Sequence, residues 1–388
     1  MTRTWLRWMP AAVVPAVIAA GVLSGSLPAS AGDPLPAKTP QQVLLMAAQH
    51  GEKSLSGTLE QSSEMGLPEL PKAGAGSPET AWLELLTGPH TARVYLDGPE
   101  KTRVQIMDRM AERNAVRNGD ELWFYNSKDN TAAHARLPAD ADDRHESRHE
   151  SRPGPATTPE ELADKLLAKL DASTEVTVGA DVQVAGRSAY NLLLTPTSDA
   201  TLVDSVAIAV DGETGLPLGV EVKARGQAEP AFSVAYTSLT LEAPDAAIFN
   251  FTPPPGATVE EIPVPDHKAA ALPPSDAAAA KAGKRPTVTG TGWASVLEFP
   301  AGAVALPGQA KPQDGAPDPA TANPLRPGTS DPERTRSGAA ALLEQAAVAV
   351  PGGRLVTTSL VNVLILDDGR VLAGSVPLER LQAAATPR

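Results

Sequence analysis

Between Thr91 and Tyr125 four short β-prone runs follow one another with only turn residues between them: TARVYL (91–96), TRVQIM (102–107), NAVR (114–117) and ELWFY (121–125). Asp97-Gly98-Pro99 and Asn118-Gly119-Asp120 break the series. An Asn-Gly pair between apolar runs is the strongest short-range hairpin signal, because both central positions of such a turn need positive φ. The stretch therefore reads as an antiparallel meander.

Alternation within these runs says which residues share a face. Val94 and Leu96 point one way, as do Val104 and Ile106, while Arg93, Arg103 and Gln105 point the other. The 121–125 run is apolar on both sides, with Leu122 and Phe124 opposite Trp123 and Tyr125. That strand is expected to be covered on both faces, by core on one side and by a helix or a ligand on the other.

The rest of the chain falls into segments around this meander. Thr39-Pro40 opens a helix, with Thr39 as N-cap, Pro40 at N1 and the helix ending near Gly51. A strand pattern starts at Ser54, and Glu64 to Glu79 is a Pro/Gly-rich exposed loop. Thr158-Pro159-Glu160-Glu161 begins a second helix with a leucine stripe at 162, 166, 167 and 170. Strands follow near 175–180, 182–184, 188–195, 205–211, 218–224 and 232–241, with Asp211 to Gly215 as a turn. Helix, meander, helix and returning meander make one α+β unit over 39–260. An Ala/Pro-rich linker occupies 261–285. A smaller unit over 286–388 then shows β-α-β-β-α order: a strand at 287–299, a disordered loop around 301–336, a helix at 339–348, strands at 354–366 and 370–375, and a short helix from Pro377. At its size it would bury only a marginal core by itself.

The N-terminus reads as an export signal over 1–31. Arg3 and Arg7 form its basic region, Ala11 to Gly25 its apolar core, and Ala29-Ser30-Ala31 its cleavage site. The alternative, an uncleaved anchor, is disfavoured by Pro15, Gly21, Ser24 and Gly25 and by the shortness of the apolar run. The chain has no cysteine, which removes disulfides, thiol catalysis and a lipidated cysteine anchor. Its net charge of −13 becomes more negative when a signal holding two arginines and no acid is removed. Such a balance argues against nucleic acid and against adhesion to anionic membrane surfaces.

Catalytic signatures are lacking. The sequence has no G-x-S-x-G, H-E-x-x-H, P-loop or dinucleotide fingerprint. Gly352-Gly353 precedes a strand, so it builds no anion-binding helix start. His145 and His149 sit in the tandem Arg-His-Glu-Ser repeat of 144–151 with metal-ligand spacing, but Pro153 and Pro155 flank it and no distant third ligand is evident. A duplicated solvated loop is the better account, and neither a metal nor another cofactor is assigned. The chain is expected not to be an enzyme.

Several features in order carry a resemblance. They are the first helix, a basic residue after a Gly-Pro turn (Gly98-Pro99-Glu100-Lys101-Thr102-Arg103), the NGDELWFY strand, the helix at Pro159, the ETGLPL turn and the NFTPPPGATVE ending. Over about Pro40 to Glu260 this resembles the LolA/RseB superfamily. The resemblance implies an open, half β-barrel of antiparallel strands with packed helices and a concave apolar surface. It implies an exported, envelope-located protein, peripheral to the membrane, that binds lipid or the acyl chains of lipoproteins. The alternative within the superfamily is an RseB-like sensor acting on a membrane anti-sigma factor, which the smaller second unit echoes. Candidate cavity-lining residues are Val94, Leu96, Val104, Ile106, Trp123 and Tyr125, each of which could equally be ordinary core.

Overall fold

The computed structural model describes residues 34–51, 53–66, 89–107, 111–137, 158–262, 286–301 and 347–386. The expected signal (1–31), most of the loop from Glu64, the repeat at 144–151, nearly all of the 261–285 linker and all but the ends of 301–348 lie outside the described residues. Met1–Ala37 and Lys38–Arg388 cluster as separate units, and every element below belongs to the second.

The first helix, α1 (Pro40–Ala48), begins where its capping residues demand. The Thr39 hydroxyl accepts from the Gln42 N–H while the Gln42 side chain accepts from the Thr39 N–H, a reciprocal box that satisfies two orphan donors. Strands β1 (Ser54–Ser63), β2 (His90–Asp97), β3 (Lys101–Met107), β4 (Glu112–Asn118), β5 (Glu121–Asn126) and β6 (Thr131–Arg136) follow. Helix α2 (Pro159–Leu167), capped by Thr158, leads to β7 (Thr174–Val178), β8 (Val182–Val184), β9 (Arg187–Pro196), β10 (Val203–Asp211), β11 (Pro217–Ala224), β12 (Pro230–Thr240) and β13 (Thr258–Glu261).

These thirteen strands form one sheet in the order β13-β6-β5-β4-β3-β2-β1-β12-β11-β10-β9-β7, with β8 beside β9. Among the described residues its ends do not pair with each other, so the sheet is an open half-barrel. One buried cluster joins Leu55 and Leu59 of β1, Val94 of β2, Ile106 of β3, Ala209 of β10, Ala189 of β9 and Tyr236 of β12. From β3 to β9 is six places in the order, roughly 29 Å in a flat sheet, so the sheet must curl around that core. Helices α1 and α2 pack on the β9 to β12 half.

Two elements depart from expectation. Strand β6 has no signature in the sequence, because TAAHAR carries one β-branched residue and no apolar alternation; its register with β5 is what makes it a strand. Strand β13 pairs with β6 in parallel, so the sheet is mixed at that edge rather than wholly antiparallel.

The second sheet contains β14 (Thr287–Thr289), β15 (Val296–Phe299), β16 (Val348–Val350), β17 (Gly353–Thr357), β18 (Asn362–Leu366) and β19 (Val371–Gly374), followed by α3 (Leu378–Ala385). The runs 287–299 and 354–366 each fold as two antiparallel strands instead of one. Gly290 and Gly292, at φ of 90° and 55°, turn the first run. In the second, the Thr358 hydroxyl accepts from the N–H groups of Leu360 and Val361 and closes a local turn. Val348, expected at the end of a helix, lies in β16. Val296, Leu364, Leu372, Val376 and Leu381 give this sheet a core of its own.

Candidate functional site

Residues directly opposite one another in an antiparallel ladder share a face. Val94 pairs with Val104, Val104 with Ala115, Ala115 with Phe124 and Phe124 with Ala133, so one row crosses five strands on a single face. The row begins in the core, reaches the open at Phe124 and closes on the half-buried Ala133. Val94 is fully buried and Val104 8% exposed, whereas Phe124 is 43% exposed. Leu96 and Ile106 lie on the same face, paired with Thr102 and Ala92. Ile106 is buried, and Leu96 is half-buried against the cluster around Tyr236.

Trp123 and Tyr125 lie on the opposite face, paired with Val116 and Asn114. There they are covered by the segment after β12. Its short 3-10 turn (Ala246–Phe249) buries Phe249, and Arg103 donates to the Ile248 carbonyl at 2.8 Å. The Phe251 ring stands 5.5 Å from Trp123 and 5.8 Å from Tyr125 between centroids. Asn118 donates to the Asn250 side chain, and the strap then runs into β13. Prolines at 253, 254 and 255 supply no N–H, which suits a segment lying across a sheet rather than within it.

The six residues singled out from sequence therefore divide four and two between opposite faces. The structure brings Val94, Leu96, Val104 and Ile106 together and sets Trp123 and Tyr125 under the strap. Coverage of β5 on both faces is not what the described residues show, since Phe124 is the exposed aromatic. A usable signal was present: a two-residue turn that pairs Asn118 with Glu121 puts Phe124, not Trp123, opposite Ala115.

Two polar arrangements border this core. The Tyr236 ring lies against Gly57, where an added Cβ would stand 2.7 Å from the ring, and its hydroxyl donates to the Glu160 carboxyl of α2 at 2.7 Å. Burial pushes the Glu160 carboxyl above its ordinary range despite the Tyr236 bond and weaker help from Thr158 and its own backbone N–H, and its second oxygen lacks a well-formed hydrogen bond among the described residues. On the strap face, His134 stacks on Trp123 at 4.2 Å and sets its two ring nitrogens against two carboxylates, Glu121 of β5 and Glu261 of β13, the latter at 2.9 Å. The Glu261 bond is the chief cause of a raised His134 pKa.

Neither arrangement supplies a nucleophile with a base and an orienter. His50 is spent on the Ala47 carbonyl at 2.7 Å. Among the described residues no group of three or more acids and histidines is placed to hold a metal ion, and no helix is long and apolar enough to cross a membrane.

Neither a protein-family model nor a curated protein matches the sequence. Among solved structures the chain is similar to MucB in the MucA/MucB complex of Pseudomonas aeruginosa, at 15% identity and a TM-score of 0.40, covering 89% of this chain and 96% of that one. A LolA superfamily protein of Nitrosomonas europaea matches at 14% identity and a TM-score of 0.22, covering 55% of this chain and 99% of that one. An uncharacterised conserved protein of Thermus thermophilus matches at 11% identity and a TM-score of 0.32, covering 57% and 98%. Likenesses at these scores carry no weight of their own, and the half-barrel rests on the strand order and register.

Proposed function

We propose that this chain is an exported, non-enzymatic binding protein of the cell envelope, peripheral to the membrane, whose half-barrel over 39–260 receives lipid or lipoprotein acyl chains. One observation carries the reading: a continuous apolar row passes from the buried core at Val94 and Val104 to the exposed Phe124. A face that continues the core into solvent is a surface awaiting an apolar occupant. Transfer of a sixteen-carbon chain out of water yields about 0.8 kcal/mol per methylene, on the order of 12 kcal/mol gross, so few polar contacts are needed.

The test is native and denaturing mass spectrometry of the chain purified from its own envelope, followed by titration with a fluorescent fatty acid. A stoichiometric lipid or acylated peptide supports the reading. A chain that emerges empty and takes up no fatty acid refutes it.

A sensor of a membrane anti-sigma factor is the second reading. It is favoured by the second sheet, whose edge strands expose Val288 and Val348 at 63% and 67%. An exposed apolar edge is a template for an added strand. Crosslinking in the envelope should then yield a protein adduct that disappears when 286–388 is deleted.

A further inference from the structure

Strand β13 is the odd member of the large sheet. Among the described residues every other ladder of that sheet is antiparallel, whereas β13 pairs with β6 in parallel over four residues, all of them exposed. Parallel pairing is slightly less stable per residue, and a short exposed edge gains little from burial. Backbone bonds hold its two ends: Thr258 N–H donates to the Asn130 carbonyl at 3.0 Å and Ile262 N–H to the His134 carbonyl at 2.7 Å. Between them the side chain of Glu261 reaches His134.

His134 ties three strands together. From β6 its Nε2 meets Glu121 of β5 and its Nδ1 meets Glu261 of β13. A neutral imidazole has one N–H and one bare nitrogen and so donates to one carboxylate alone, whereas the imidazolium donates to both. The Trp123 ring stacked on it presents a π face that also favours the cation. The charged groups around the ring are these two carboxylates, Arg136 of β6, which also holds Glu121, and Asp120 of the β4–β5 turn, 3.5 Å from Arg136. The segment after β12 brings only the uncharged Phe251 against this stack, and Glu260, in register with Ala133, lies on the other face. Glu121 is fixed within the sheet by Arg136, while Glu261 is 73% exposed on the edge. When the ring loses its proton, the Glu261 contact is therefore the one that gives way.

We propose that β13 is a pH-sensitive latch on the large sheet: protonated His134 clamps the strand to β6, and loss of that proton frees it and opens the β6 edge. The inference does not depend on what the half-barrel binds. Glu261 first, and Glu121 after it, raises the His134 pKa against the opposing effect of burial. The clamp is thus complete below the ordinary histidine value of about 6.5 and is lost as pH rises through the raised value. Release of β13 bares the Asn130 and His134 carbonyls that it now covers, and an unpaired edge of this kind is a template for another strand.

The experiment is amide hydrogen exchange of the full-length chain between about pH 5.5 and 8, each rate divided by the intrinsic rate at that pH, so that it reports local opening. Protection of 258–262 should fall by roughly two- to fivefold across this range, the span that an ion pair with an exposed partner supplies, while that of the buried strand β10 stays level. Glu261→Gln, an exposed change that leaves the interior of the sheet intact, should bring 258–262 at the acid end down to the level of the unaltered chain at the alkaline end and hold it there. His134→Gln should likewise remove the pH dependence. Protection of 258–262 that does not move with pH in the unaltered chain overturns the latch. So does a fall that persists undiminished in Glu261→Gln, which would assign it to another titrating group.

Discussion

The histidine held between two carboxylates makes His134 the residue whose protonation state matters most to the sheet edge. Glu261 raises its pKa, burial opposes the rise, and Glu121 adds to it, with Arg136 and Asp120 completing the charges around the cluster. A group whose folded pKa exceeds its ordinary value of about 6.5 stabilises the fold fully below that value and loses its contribution as pH rises through the folded pKa. Glu121 runs the other way: Arg136 first and His134 second lower its pKa, so its contribution is lost as pH falls through the folded value. Melting of the unaltered chain and of His134→Gln should therefore differ most in the mildly acidic range and converge toward alkaline pH. The imidazole resonance should titrate above 6.5, and Glu261→Gln should bring it down; a resonance at or below 6.5 would show that the clamp is not closed. Glu160 supplies a second test at this scale. Burial raises its pKa, so the native state prefers the neutral acid and loses stability as pH rises above the ordinary carboxylate range. Glu160→Gln should stabilise the chain at neutral pH relative to the unaltered protein, whereas Tyr236→Phe, which strips the carboxyl of its partner, should cost about 1–3 kcal/mol. Chemical denaturation of both at neutral pH checks the opposite signs.

Elements differed in how much of themselves they wrote into the sequence. Helices α1 and α2 were legible because Thr39 and Thr158 cap them from one residue before a proline, a local signal that tertiary contacts do not alter. Strands β2 to β5 were legible because turns and alternation are also local. Strands β6 and β13 were not, since neither holds an apolar pattern and each is a strand by virtue of its neighbour. The division of the candidate residues between two faces lay partly within reach, through the turn that pairs Asn118 with Glu121; the strap over Trp123 did not, because it brings Phe251 to a strand well over a hundred positions earlier. Gly57 was equally silent. In sequence it is an ordinary break in SLSGTLEQ, but in the sheet an added Cβ would meet the Ser238 carbonyl and the Tyr236 ring, each at 2.7 Å. Gly57→Ala should force the ring off its seat, cost about 1–3 kcal/mol and disturb the Tyr236 to Glu160 bond. The near-ultraviolet circular dichroism of Tyr236 reports it, by difference against Tyr236→Phe.

At the scale of the whole molecule the question is how strongly the second sheet depends on the first. The bonds between them are polar and centre on a few residues. The Ser375 carbonyl accepts from Leu202 N and from the Thr201 hydroxyl at 2.8 and 2.7 Å, Ser359 N donates to the Met65 carbonyl at 2.9 Å, and Trp293 donates from Nε1 to the Thr174 hydroxyl at 2.8 Å. Contacts of this kind hold a docked unit in place without merging its core with that of its neighbour. The second core, Val296, Leu364, Leu372, Val376 and Leu381, is separate from the cluster around Tyr236 and much the smaller. A core of that size is marginal alone, because a small unit leaves too much of its apolar surface in water. The half-barrel ending at 262 should therefore melt cooperatively by itself, and the piece beginning at 286 should show no cooperative transition until the half-barrel is added. Calorimetry of the two pieces, apart and mixed, tests this. A cooperative melt of the isolated second piece would instead mark it as an independent domain free to swing on its linker, and the bonds through Ser375 and Ser359 would then be a latch between two stable bodies.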